Sequence, residues 1–147
     1  MAFCIVSWNY HGFRAHIDKI ESVINKHQPV CICLQESYLS PGVDTKIANF
    51  NIIRKDNIHN SHAVGGVALL FLQSFPFGSF PINTSTQAVA IQIHIKILLT
   101  ICSIYLPPSQ TIFQNELDNL IGQLPTPFTP QGHIFFRCDG RYDPQVP

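Results

Sequence analysis

Three short segments hold the residue types that could do chemistry. They are Ser7-Trp8-Asn9 followed by Gly12-Phe13, then Cys33-Leu34-Gln35-Glu36-Ser37, then Ser103-Ile104-Tyr105-Leu106-Pro107-Pro108. Each lies at the C-terminal end of an apolar run that reads as a strand, and in α/β sheets ligands gather beyond strand ends. Glu36 placed there is a hard oxygen donor suited to Mg2+, an ion that is often held by one or two carboxylates and several waters beside a phosphate. Asn9 could orient Glu36 or touch the metal or the phosphate. The Tyr105 hydroxyl could donate to a phosphate oxygen as charge builds on it. Taken singly, each residue also has an ordinary reading: Asn9 as a turn residue bonded to local backbone, Glu36 as a solvated charge, Tyr105 as a strand-end ring with its hydroxyl in water.

The elements that must position these residues are legible in the periodicity. Phe3 to Trp8 is an apolar run bounded by Asn9 and Gly12. Ile17, Ile20 and Ile24 recur at helical spacing, which predicts a helix from about Ala15 to His27, stopped by Pro29. Val30 to Leu34 is a continuous apolar run, as expected of a strand buried on both faces. This strand–helix–strand order predicts α/β architecture with parallel strands joined by a crossover. A short strand at Phe50 to Ile53, a polar loop from Lys55 to Ser61 and a strong strand at Val67 to Leu72 follow. Residues 73–87 read as loop with at most one short strand. From Val89 to Ile101 every second residue is apolar, the period of a strand. The run is too long for one strand, so it predicts an antiparallel hairpin turning near His94 to Lys96, although that stretch lacks the Gly or Asn that tight turns favour. A helix from about Thr111 to Gln123 carries the stripe Phe113, Leu117, Leu120, Ile121 and Leu124, with Thr111 and Gln114 at capping-box spacing.

Composition narrows the function classes. Charged residues are 12% of the chain and hydrophobic residues 46%, against roughly 25% charged in an ordinary soluble domain. Such a surface suggests a fragment whose apolar faces expect a partner, or a chain under weak selection for solubility. The formal net charge is zero, so the basic footprint of a free-standing nucleic-acid binder is missing. A local patch and a metal could still serve a nuclease. Five cysteines without a C-x-x-C pattern, three of them inside apolar runs, read as thiols of a reducing compartment. No signal peptide and no membrane span are legible, so an intracellular protein with no membrane partner is expected. His59 and His62 lie in a polar loop without zinc-ligand spacing and read as surface.

Ser-Trp-Asn, Leu-Gln-Glu-Ser, Gly-Gly-Val-Ala from Gly65 and Ile-Tyr-Leu-Pro-Pro from Ile104 occur in that order. Together they resemble the endonuclease/exonuclease/phosphatase superfamily. Ile104 to Pro108, Gln114 to Leu117 and Leu124 to Phe128 look most like jockey-type non-LTR retrotransposons, and the likeness runs from residue 3 to about 132. The resemblance implies a two-sheet α/β sandwich that cleaves phosphodiesters with Mg2+ or Mn2+. It implies Glu36 as metal ligand, Asn9 as ligand or immediate neighbour, and Tyr105 as a contact to the scissile phosphate. It also implies a nuclear endonuclease that nicks target DNA, with a reverse transcriptase domain in the parent polyprotein that is absent from this chain.

One departure matters. Relatives of this kind carry Gly-Asp-Phe-Asn after a further apolar strand, whereas here Gly132 is followed by His133 where the Asp belongs, with Phe135 where the Asn belongs. A late Asp and His are also missing. The sequence is therefore expected to hold a partial domain over 1–132, an incomplete sandwich, and an unpatterned tail over 133–147 with no regular strand, as a frameshifted or truncated copy would. Asp139 and Asp143 read as solvated tail charges, and His133 is not a substitute base. The expected function is an inactive remnant of the nicking endonuclease. The alternatives are a weak Mg-dependent nuclease or phosphatase, and a non-catalytic DNA- or protein-binding fragment. Because the later strands are missing, the apolar residues of Val67 to Leu72 and Val89 to Tyr105 are expected to stay partly uncovered, with a free sheet edge.

Overall fold

A computed structural model describes residues 3–9, 11–107 and 111–125 with their side chains, and the backbone of two further strands over 133–139 and 141–143. The first sheet is built from β1 (Ile5–Asn9), β2 (Cys31–Gln35), β3 (Phe50–Lys55) and β6 (Val67–Leu72), in the order β1-β2-β6-β3. Between β1 and β2 runs α1 (Ile17–His27), entered through a 3-10 turn over Arg14–His16. The crossover makes β1 and β2 parallel, with Asn9 opposite Gln35. The helix ends where Gln28 turns left-handed and returns its N–H to the Ile24 carbonyl at 2.8 Å. Asp18 in its first turn and Lys26 and His27 in its last suit the helix dipole.

The polar loop after β3 holds a small hairpin, β4 (Ile58–His59) with β5 (His62–Ala63), which sequence periodicity is too short to reveal. The second sheet contains β7 (Phe77–Ser79), β8 (Gln87–Ile95), β9 (Ile97–Tyr105) and β11 (His133–Asp139), in the order β11-β9-β8-β7. The hairpin expected from the alternation is β8–β9. It turns on Lys96 alone, at φ +70°, with Ile95 paired to Ile97. β10 (Thr111–Phe113) leads into α2 (Gln114–Gly122) and pairs with β12 (Arg141–Asp143). The helix starts two residues later than the Thr111 and Gln114 spacing suggests. Its reciprocal cap is the Glu116 carboxylate accepting from the Phe113 N–H at 3.0 Å.

The layers follow from strand parity. Residues of one phase, among them Cys31, Cys33, Leu69, Phe71, Ile91, Ile93 and Ile101, meet between the sheets. The opposite phase of the first sheet, Ile32, Leu34, Ala68 and Leu70, packs with Phe13 and with Ile20 of α1. The opposite phase of the second, Ala88, Ala90, Cys102 and Ile104, packs with Ile112 of β10 and Leu120 of α2. The result is an α/β sandwich with a helix against each outer face.

Two expectations are corrected here. Most apolar residues of β6, β8 and β9 are not left open: they are buried by the facing sheet and the two helices, and only Leu72, Ile97 and Leu98 stay half-buried. Among the described residues, what remains free is the sheet edges at β1, β3, β7 and β11. Residues 133–139 also form a strand where none is expected. β11 runs parallel to β9 over seven residues, from His133 opposite Leu99 to Asp139 opposite Tyr105. Ile134, Phe135 and Phe136 form a short apolar run, and pairing with β9 satisfies backbone groups that periodicity alone does not count. The expectation of poor packing over 133–147 falls on side chains outside the described residues.

Candidate active site

The inter-sheet phase of the strands is apolar along most of its length and turns polar at one end. Asn9 is in phase with Ile5, Gln35 with Cys31 and Cys33, Gln87 with Val89 and Ile91, and Ser103 and Tyr105 with Leu99 and Ile101. All lie at the edge where β1, β2 and β9 finish and β8 begins. Two polar bridges cross the gap between the sheets there. The Gln35 amide nitrogen donates to Ser103 Oγ at 2.8 Å, and Gln87 Oε1 accepts from the Gly66 N–H at 2.5 Å. All three side chains are buried.

Glu36 follows directly from β2 and is 8% exposed. Its carboxylate draws in three side chains. Tyr105 donates its hydroxyl to Oε1 from the opposite sheet. Tyr38 donates to Oε2 at 3.2 Å, and His11 Nδ1 also contacts Oε2. His11 and Tyr38 are partly stacked, with ring centroids 6.5 Å apart, and both are exposed. Burial first, then the Glu36 charge and the hydrogen bond to it, push the Tyr38 phenol above its usual range. Glu36 and Tyr105, two of the three residues singled out by sequence, are thus in direct contact. Asn9 stands on the neighbouring strand opposite Gln35, with its side-chain oxygen buried.

The loops that carry these groups are held by backbone bonds. Gly12 N–H donates to Glu36 O at 2.8 Å and Phe13 N–H to Ser37 O at 2.9 Å. Tyr38 N–H donates to Gly65 O at 2.9 Å. His11, Glu36 and Tyr38 all have positive φ, +53°, +57° and +50°. That conformation is uncommon for residues bearing a Cβ, and such strain gathers at functional sites. Gly65 and Gly66 sit between the Glu36 loop and the Gln87–Tyr105 rung. A Cβ on Gly65 would lie 2.6 Å from Gln87 Oε1 and 3.1 Å from a Tyr105 ring carbon, and one on Gly66 would lie 2.6 Å from Ser37 Oγ. The Gly-Gly of the sequence is therefore a spacer that only glycine can fill. Lys55 fixes the loop before Gln87, donating to the carbonyls of Thr84 at 3.0 Å and Thr86 at 2.8 Å. Burial lowers its pKa.

Sequence reasoning missed His11, Tyr38, Gln87 and Ser103. For Gln87 and Ser103 a signal existed, a polar residue in the apolar phase of a strand; for His11 and Tyr38, in irregular backbone, none did. Asp139, read from sequence as a tail charge, ends β11 in register with Tyr105. Its backbone thus stands at this same edge. His133 instead begins the strand, opposite Leu99. A groove of about 580 Å³ along residues 43–54 is separate from this cluster. Among the described residues no group of three or more His, Cys, Asp or Glu could hold a metal, and no helix is long and apolar enough to cross a membrane.

Solved structures with a similar fold include the endonuclease domain of TRAS1, a telomere-specific non-LTR retrotransposon. It superposes with a TM-score of 0.61 at 13% identity, covering 82% of this chain and 52% of its own. The human Nocturnin catalytic domain with bound sulfate anion superposes with a TM-score of 0.50 at 17% identity, covering 72% of this chain and 51% of its own. The chain spans about half the length of each, and the fold is of the endonuclease/exonuclease/phosphatase type. No family model and no curated protein matches the sequence.

Proposed function

We propose that this chain carries the metal- and phosphate-binding half of a DNA phosphodiesterase domain, of the kind that nicks target DNA to prime reverse transcription in non-LTR retrotransposons. The observation that supports it best is the Glu36 carboxylate, nearly buried at the strand-end edge and bonded by Tyr105 from the opposite sheet. The donor set fits a hard cation. Glu36 offers carboxylate oxygens and Asn9 a buried amide oxygen, and Mg2+ or Mn2+ accepts few protein ligands together with waters. When bound, the cation would neutralise charge on a phosphate oxygen. Tyr105 would hold the carboxylate in place and present its hydroxyl beside that phosphate, and Tyr38 and His11 would fix the second carboxylate oxygen. A reverse transcriptase domain of the parent polyprotein would then extend the nicked 3′ end in the nucleus.

In this reading the isolated chain binds the cation but nicks DNA at background rate. A second reading, a weak Mg-dependent nuclease, is favoured by β11, which brings the Asp139 backbone level with Tyr105. Two measurements separate them: Mn2+ titration calorimetry, and plasmid nicking with Mg2+, each on the chain and on Glu36→Ala. Mn2+ binding that disappears in Glu36→Ala, with no nicking, is the expected result. Glu36-dependent nicking would establish the second reading. Mn2+ binding that is absent, or unchanged in the variant, sinks both.

A further inference from the structure

We propose that Gln35 and Gln87 are positioning residues, a pair of inter-sheet clamps that bring the Glu36 carboxylate and the Tyr105 hydroxyl together. The proposal deepens the reading of Glu36 and Tyr105 as site residues and rests on it. Glu36 belongs to the first sheet and Tyr105 to the second, so their contact depends on how far apart the sheets stand at this edge. Along the rest of the sandwich that spacing is set by apolar packing, which is not directional and tolerates small slides. Hydrogen bonds are directional, and the only place described where side chains bond across the gap is the site end.

The two clamps act from opposite sides. Gln35 leaves the first sheet immediately before Glu36 and reaches Ser103, two residues before Tyr105. Gln87 leaves the second sheet, where it is the register partner of Tyr105, and reaches the Gly66 N–H at the start of β6. Gly66 and Gly65 in turn accept from the Ser37 and Tyr38 N–H groups at 3.3 and 2.9 Å. The chain of contacts therefore runs from the loop bearing Glu36, through the glycine pair and Gln87, to the rung bearing Tyr105. Three fully or nearly buried polar side chains, at 1%, 7% and 0% exposure, occupy apolar phases of three strands. A buried amide is costly without a partner, so these positions are spent on geometry where an aliphatic residue would serve packing alone.

The test needs neither metal nor DNA. Protein labelled with 13C-tyrosine is compared by NMR with and without Glu36→Gln, the Tyr105 ring signal being assigned by its loss in Tyr105→Phe. In the otherwise unaltered chain, Glu36→Gln shifts the Tyr105 signal. In a Gln87→Leu background the clamp predicts that this response falls to less than about half, and that Gln87→Glu, which keeps an acceptor for the Gly66 N–H, restores it. Should Gln87→Leu fail to fold, Ser103→Ala opens the other clamp and carries the same expectation. A response as large in Gln87→Leu or Ser103→Ala as in the unaltered chain, even with a lower unfolding midpoint, makes these residues merely structural and overturns the proposal. Failure of Mn2+ binding would instead sink the functional reading while leaving the Tyr105 signal to decide the clamps.

Discussion

Replacing Gly65 by alanine probes the narrowest point of the site. The added methyl would stand 2.6 Å from Gln87 Oε1, 3.2 Å from its Nε2 and 3.1 Å from the Tyr105 ring. The Gln87 amide cannot swing away without releasing the Gly66 N–H that it holds at 2.5 Å. Two costs add. A residue with a Cβ at φ +71° carries a left-handed penalty of about 1–2 kcal/mol. The displaced hydrogen bond forfeits about 1 kcal/mol. The expected loss is therefore about 2–3 kcal/mol, a large share of the roughly 5–15 kcal/mol that stabilises a domain. Gly122 is the matched control: it ends α2, and a Cβ there meets nothing within 4 Å. Gly122→Ala should stabilise by up to about 1 kcal/mol. Urea unfolding at fixed pH reads both, with midpoints moving in opposite directions at unchanged slope. In a Gln87→Ala background the closest conflict is gone and only the 3.1 Å approach to the Tyr105 ring remains, so the Gly65→Ala penalty should shrink toward its backbone share of about 1–2 kcal/mol. A Gly65→Ala midpoint within about 0.5 kcal/mol of the unaltered chain would refute the reasoning, as would a penalty indifferent to Gln87.

Leu69 is fully buried between the sheets, so Leu69→Ala should cost about 2–5 kcal/mol in the same assay; a loss under 1 kcal/mol, roughly, would mean the inter-sheet core is looser than described. Tyr105→Phe removes a donor to a carboxylate and should lower stability by about 1–3 kcal/mol while leaving the far-ultraviolet circular dichroism unchanged; equal or greater stability would argue against that bond. The Tyr38 phenol is held above its usual pKa by burial first and then by Glu36. Its folded value thus exceeds its unfolded one, so the associated stability is fully present below the unfolded pKa of about 10 and is lost as pH rises through the folded value. A tyrosinate absorbance titration should show Tyr38 ionising earlier in Glu36→Gln, and no change there would separate the phenol from the carboxylate.

The sequence carried the fold where periodicity is long. Ile17, Ile20 and Ile24 announce α1, and the alternation from Val89 to Ile101 announces a hairpin even though its turn is a lone left-handed Lys96. It failed where pairing rather than pattern makes the element. β4 and β5 have two residues each, and β11 is a strand because β9 offers it an edge. At the site, parallel order puts the ends of β1 and β2 on one edge, so Asn9 and the Gln35–Glu36 pair could be anticipated together. The contact of Glu36 with Tyr105 also needs the facing sheet to stack with the end of β9 over that edge, which no strand pattern states. His11 and Tyr38 could not, because their approach depends on positive φ values in loops that obey no period.

The one-residue turn at Lys96 has a consequence for how the site is assembled during folding. Hairpins close from the turn outward, on the order of 1–10 μs. The Ile95–Ile97 pair is therefore the first rung and Gln87–Tyr105 the last. An error at the start is inherited by every later rung. Were the strands offset by a single residue, alternate side chains would exchange faces. Tyr105 would then be turned toward α2 while Ile104 met Glu36. Lys96 has no contact with the carboxylate, yet the fidelity of its turn decides at the earliest moment which ring the finished site receives. A substitution there would act as an assembly defect, raising the fraction of chains trapped with a mispaired hairpin.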